Sequence, residues 1–128
     1  MNEAVLDASA ILALLFEERG AENLTAEILG RAVASTVNLA EVQSKLVKMG
    51  HEPEKAWRDA LLTVVAAEPF TGEHAQAAGT LIAKTQKYGL SLGDRSCLAL
   101  AMAMNAEVYT TEKLWKNLKL GIRIHVIR

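Results

Sequence analysis

The stretch Ala4-Val5-Leu6-Asp7-Ala8-Ser9-Ala10-Ile11-Leu12-Ala13-Leu14-Leu15-Phe16 runs from a short apolar segment, through one aspartate, into a longer segment with helical spacing. It reads as a strand followed at once by a helix over Ser9 to Phe16. The same step recurs further along. Ala32 to Val37 reads as a second strand, ending at Asn38, a residue suited to cap a helix that carries Glu41, Val42, Leu46 and Val47. Pro53 fits the first turn of another helix, whose buried face takes Trp57, Ala60, Leu61, Val64 and Val65. Glu68 to Thr71 reads as a short strand, and Ala75 to Thr85 as a helix stopped at Gly89. Gly93 to Met104 is apolar on nearly all sides, as a helix packed deep in the fold would be. Glu107 to Thr110 reads as a strand, Leu114, Trp115 and Leu118 as a short helix, and Ile122 to Val126 as a last strand near an edge. Strands alternating with helices predict an α/β fold with a mainly parallel sheet.

The 128 residues suit a single domain spanning 1–128, with 51% hydrophobic residues to fill one core. No repeat or low-complexity linker divides the chain. No apolar run approaches the roughly 20 residues of a membrane-spanning helix, so no membrane partner is expected. Glu3 stands where a secretory signal carries basic residues and Asp7 interrupts the apolar run behind it, which makes the cytoplasm the expected location. The lone Cys97, inside an apolar run, reads as a buried reduced thiol.

The net charge of -1 is unevenly spread. Residues 1–83 carry 6 basic and 12 acidic side chains, whereas residues 84–128 carry 8 basic and 3 acidic. Lys84, Lys87, Arg95, Lys113, Lys116, Lys119, Arg123 and Arg128 either form one positive surface for a polyanion or are scattered solvating charges.

Of the three aspartates, Asp7 and Asp94 fall where a strand or turn meets a helix, and Glu41 and Glu112 fall at comparable junctions. In a parallel sheet these junctions share the edge outside the carboxyl ends of the strands, where such folds build their sites. Converging carboxylates raise one another's proton affinity, and a divalent cation relieves the repulsion. Magnesium or manganese, bound by hard oxygens with open positions for water and phosphate, would support phosphodiester hydrolysis. A plainer reading stands beside this one. Asn38 with Glu41, and Ser91 with Asp94, both have capping-box spacing, Asp7 can cap the helix after it, and Glu112 can complement a helix dipole. Ser9 and Thr110 are either polar supports for the acids or helix-end hydroxyls. His51, His74 and His125 lack metal-ligand spacing, and no phosphate-binding glycine loop or serine-hydrolase elbow is present.

The segments Val5-Leu6-Asp7-Ala8-Ser9-Ala10, Asn38-Leu39-Ala40-Glu41-Val42, Leu92-Gly93-Asp94-Arg95-Ser96-Cys97-Leu98-Ala99 and Val108-Tyr109-Thr110-Thr111-Glu112-Lys113-Leu114-Trp115 resemble, in order and spacing, the PIN domain, in the single-domain form of VapC toxins. The resemblance implies a three-layer α/β/α sandwich, cleavage of RNA with magnesium or manganese, a cognate antitoxin and a homodimer. On that pattern Asp7, Glu41 and Asp94 are the metal-binding acids and Ser9 and Thr110 their polar supports. Glu112 departs from the aspartate usual at the fourth acidic position, and its extra methylene carries the carboxylate about 1.5 Å further from the backbone. Two rivals remain on the residues alone: a non-catalytic RNA- or protein-binding module with a weakened metal site, and a receiver-like phosphoacceptor domain. The second lacks the adjacent acids that such domains place near the first strand.

Overall fold

The computed structural model describes residues 2–128. Five strands form one sheet in the order β3-β2-β1-β4-β5, with every neighbouring pair parallel. They are β1 (Ala4–Leu6), β2 (Ala32–Ser35), β3 (Ala66–Glu68), β4 (Glu107–Thr110) and β5 (Ile124–Val126). The helices are α1 (Ala8–Leu15), α2 (Ala26–Leu29), α3 (Thr36–Lys48), α4 (Pro53–Leu61), α5 (Gly72–Thr80), α6 (Ile82–Thr85) and α7 (Leu92–Met104). Successive strand residues point to opposite faces, and the core divides accordingly. Ala4, Leu6, Ala32, Ala34 and Tyr109 pack with Ile11, Leu39, Val42, Leu46, Ala56 and Ala60 from α1, α3 and α4. Val5, Val33 and Val108 pack on the other face with Ala78, Leu98 and Leu100 from α5 and α7. The result is the three-layer sandwich the resemblance implies, with β1 at the centre of the sheet and both of its faces covered.

The strand-to-helix steps lie close to where the sequence puts them, but one cap moves. The second strand stops at Ser35, whose hydroxyl accepts from the Val37 amide, so α3 begins at Thr36 and Asn38 lies inside its first turn. Serine after an apolar run satisfies the first free amides as well as asparagine does, and it comes first. The capping box expected between Asn38 and Glu41 is therefore not formed. The one expected between Ser91 and Asp94 is.

Three further readings shift. The edge strand β3 is Ala66–Glu68 rather than Glu68 to Thr71, and α4 ends at Leu61. Val64 and Val65 lie in the connection, with the Val65 amide donating to the Ala32 carbonyl at 2.8 Å, and Trp57 is half-buried against the core. The helix expected from Ala75 to Thr85 is broken into α5 and α6, followed by a 3-10 turn over Gln86–Tyr88 that ends at Gly89 with φ of 71°. Between α1 and β2 the chain forms a 3-10 turn, Ala21–Asn23, and the short α2, neither of which has a periodic signal long enough to read. Among the described residues no helix is long and apolar enough to cross a membrane.

Candidate active site

Asp7 leaves the end of β1 and caps α1. Its Oδ1 accepts from the Ala10 amide at 2.8 Å and the Ser9 hydroxyl at 2.7 Å, while Oδ2 accepts from the Thr110 hydroxyl at 2.6 Å. Ser9 and Thr110 are in turn anchored by backbone, Ser9 Oγ accepting from the Thr111 amide and Thr110 Oγ1 from the Glu112 amide. The first central junction is thereby tied to the end of β4. The plain reading and the functional one coexist here. Capping and the two hydroxyls use three of about four lone-pair sites on the Asp7 carboxylate, leaving one on Oδ2.

Asp7 is 2% exposed. Burial pushes its carboxyl up from 3.8 to about 6, against the opposing pull of Thr110, Ala10 and Ser9, and the charge of Asp94 pushes the same way as burial. Glu41 is raised as well, by burial first and by Asp94, with the hydrogen bond from Asn38 opposing. Its chain is exposed, but its carboxylate lies against the backbone of Gly93, where a Cβ would overlap it. Asn38, buried to 1%, holds this contact by donating Nδ2 both to Glu41 Oε1 at 2.9 Å and to the Gly93 carbonyl at 3.0 Å. Asp94 gives one oxygen, Oδ2, to the Ser91 amide at 2.9 Å in the capping box. The thiol of Cys97, fully buried one turn into α7, is pushed well up by burial, and Asp7, Asp94 and Glu41 all add to the shift.

Asp7, Glu41 and Asp94 thus share one neighbourhood at the carboxyl edge of the sheet, close enough to feel one another's charge. Glu112 stands apart in character. It is exposed at the start of a 3-10 turn, Lys113–Asn117, and its side chain makes no capping bond. Asn38 and Gly93 belong to this site although the sequence reading did not include them. The available signal was Gly93 itself, a glycine in the first turn of a helix, where its entropic cost calls for a close approach in return.

The donor set is all oxygen, which suits magnesium or manganese rather than zinc. Each of the three acids keeps an uncommitted lone pair, and no basic side chain contributes to the shifts of Asp7 or Glu41. Among the described residues, no three acids, histidines or cysteines form a closed ligand cage. That openness matches the habit of magnesium, which binds through one or two carboxylates and keeps its waters.

The basic residues of the C-terminal third do not form one surface. Arg95 donates to the Ala78 carbonyl, Arg123 faces Glu107 at 3.7 Å, and Arg128 pairs with Glu18. Lys84, Lys87 and Lys119 instead line a common groove with Tyr88 and Asn117.

An all-parallel α/β sandwich with buried, mutually repelling carboxylates at the carboxyl edge of its sheet defines a class of acidic-site proteins. The PIN domain family model matches residues 4–119, and the chain belongs to that family. Solved structures of similar fold include the VapBC2 complex of Rickettsia felis bound to a DNA fragment from its promoter, at 18% identity and a TM-score of 0.73, covering 95% of this chain and 96% of that one. The sarcin-ricin loop cleaving toxin VapC20 of Mycobacterium tuberculosis is similar at 18% identity and a TM-score of 0.73, covering 94% and 99%. A toxin-antitoxin complex from Klebsiella pneumoniae is similar at 24% identity and a TM-score of 0.67, covering 86% and 87%. No curated protein matches the sequence.

Proposed function

We propose that the protein is a metal-dependent endoribonuclease, the toxin of a toxin-antitoxin pair, acting in the cytoplasm. The observation that carries the reading is Asp7: a buried carboxyl raised to about 6, gripped by Ser9 and Thr110 and pushed by Asp94, with no cationic side chain to relieve it. Asp7, Glu41 and Asp94 would hold magnesium or manganese, and Glu112 would act from the exposed rim. A bound ion would neutralise the phosphodiester, lower the pKa of an attacking water and stabilise the leaving oxygen. The chain's own groups supply position. Ser9 and Thr110 orient the Asp7 carboxylate, Asn38 and Gly93 set that of Glu41, and the Ser91 cap aims Asp94.

PIN membership and the toxin-antitoxin complexes among similar structures support both RNA as substrate and a cognate antitoxin as partner. Exposed Met49, Leu62, Val65 and Leu114 offer apolar area to an antitoxin or to a second copy in a homodimer. Asp94→Asn tests the chemistry. Asparagine can still accept from the Ser91 amide, so the fold should persist while cleavage of structured RNA in magnesium falls at least about 100-fold. Chelator should do the same to the unaltered protein, and full activity of the purified variant would remove Asp94 from the site. The exposed, uncapped Glu112 favours a second reading, an RNA- or protein-binding module with a weakened metal site; cleavage lost to chelator and restored by manganese decides against it.

A further inference from the structure

Lys84 and Lys87 lie on α6 and the turn after it, and Lys119 lies 32 positions further along, beyond the turn Lys113–Asn117. The fold brings them, with Tyr88, Asn117 and Leu118, to a groove of about 370 Å³. The Lys87 ammonium stands over the Tyr88 ring, 5.2 Å from its centroid, a cation–π contact that restricts an otherwise free side chain. All three lysines are exposed, and among the described residues none of them forms an ion pair.

Both walls of the groove lead directly to the acids. Tyr88 precedes the cap residue Ser91 by three positions, at most about 11 Å of chain at 3.8 Å per residue. The other wall follows Glu112 through the 3-10 turn. We propose that this groove is a subsite for the backbone of single-stranded RNA flanking the cleaved bond, with Lys84, Lys87 and Lys119 binding phosphates and Tyr88 holding Lys87 in place. The proposal rests on the ribonuclease reading for its choice of polyanion. Its physical content is that the acid cluster repels phosphate on its own, while three unpaired cations one short chain segment away draw the strand toward it.

The test is fluorescence-anisotropy titration of a labelled single-stranded RNA of about 12 nucleotides, within the span such sites usually cover, in excess chelator so that cleavage is blocked. The double variant Lys84→Ala/Lys87→Ala should bind about tenfold more weakly and flatten the slope of log affinity against log salt by roughly 1. Tyr88→Leu should weaken binding a few-fold with the slope kept. Lys45→Ala/Lys48→Ala, at the far end of α3, should bind as the unaltered protein does. Unchanged affinity and slope in the groove variant, or no binding by the unaltered protein, overturns the proposal. Groove-dependent binding by a protein that cleaves no RNA upholds the groove and sinks the ribonuclease reading; cleavage with groove-independent binding does the reverse.

Discussion

The Thr110 hydroxyl donates to Asp7 Oδ2 at 2.6 Å across a separation of 103 residues, joining the ends of β4 and β1 through one buried bond. Thr110 also accepts from the Glu112 amide, so its oxygen serves both the first acid and the backbone that presents the last. Thr110→Val keeps the shape and removes both roles. The expected cost is about 2 kcal/mol, because a buried carboxylate loses a donor and an amide loses its acceptor. The Asp7 carboxyl should rise further, moving the acid limb of the pH–rate profile upward. Urea unfolding at neutral pH and that profile check the two effects; a variant matching the parent in both would contradict the assignment.

The raised Asp7 carboxyl makes the metal-free protein sensitive to pH in a defined direction. Between 3.8 and about 6 the folded chain keeps a proton that the unfolded chain has released. Its stabilising contribution is therefore full below 3.8 and lost as pH rises through about 6, on the order of 3 kcal/mol at 1.36 kcal/mol per unit. In chelator, the parent should lose stability relative to Asp7→Asn across that window, and manganese at neutral pH should restore it. A difference between the two proteins that does not vary with pH would refute the origin of the shift.

Gly93→Ala reverses an ordinary expectation. Within a helix this change normally stabilises by about 1 kcal/mol, but here the added methyl meets the Glu41 carboxylate. Displacing that carboxylate also breaks the Asn38 bridge to Glu41 and Gly93. The variant should be less stable by about 1 to 2 kcal/mol and bind manganese at least about tenfold more weakly. A more stable variant with parental manganese affinity would show that the contact does not matter.

Glu112→Ala separates the rim acid from the three inner ones. With no side-chain capping bond and an exposed position, its removal should leave stability within about 0.5 kcal/mol. Cleavage should fall, but by less than in Asp94→Asn, since the inner acids remain. Turnover measured at saturating magnesium distinguishes this from full loss, which would place Glu112 on a par with Asp94, and from no loss, which would exclude it.

Much of this architecture was legible where a short apolar run ends in a polar residue that starts a helix. Asp7, Thr110 and the Ser91–Asp94 box are such junctions, and each lies where its pattern puts it. The reading failed where two residues could play one part, as with Ser35 and Asn38 for the cap of α3, because local propensity ranks them nearly alike. It failed again at β3, a three-residue edge strand of alanines and a glutamate, half-buried and without the alternation that marks longer strands. What no local pattern contains is the meeting of Asn38 with Gly93, or of Lys84 with Lys119. Those contacts follow from helix packing and from the order of strands in the sheet.

The position of β1 in the middle of that order governs when the molecule can first act. A growing chain displays Asp7 and Glu41 early in synthesis, yet its first acid lacks the threonine clasp until β4 has been made and has docked beside the strand laid down at the outset. Incomplete polypeptides released by premature termination would accordingly be harmless to the cell's RNA, and only finished copies would need restraint.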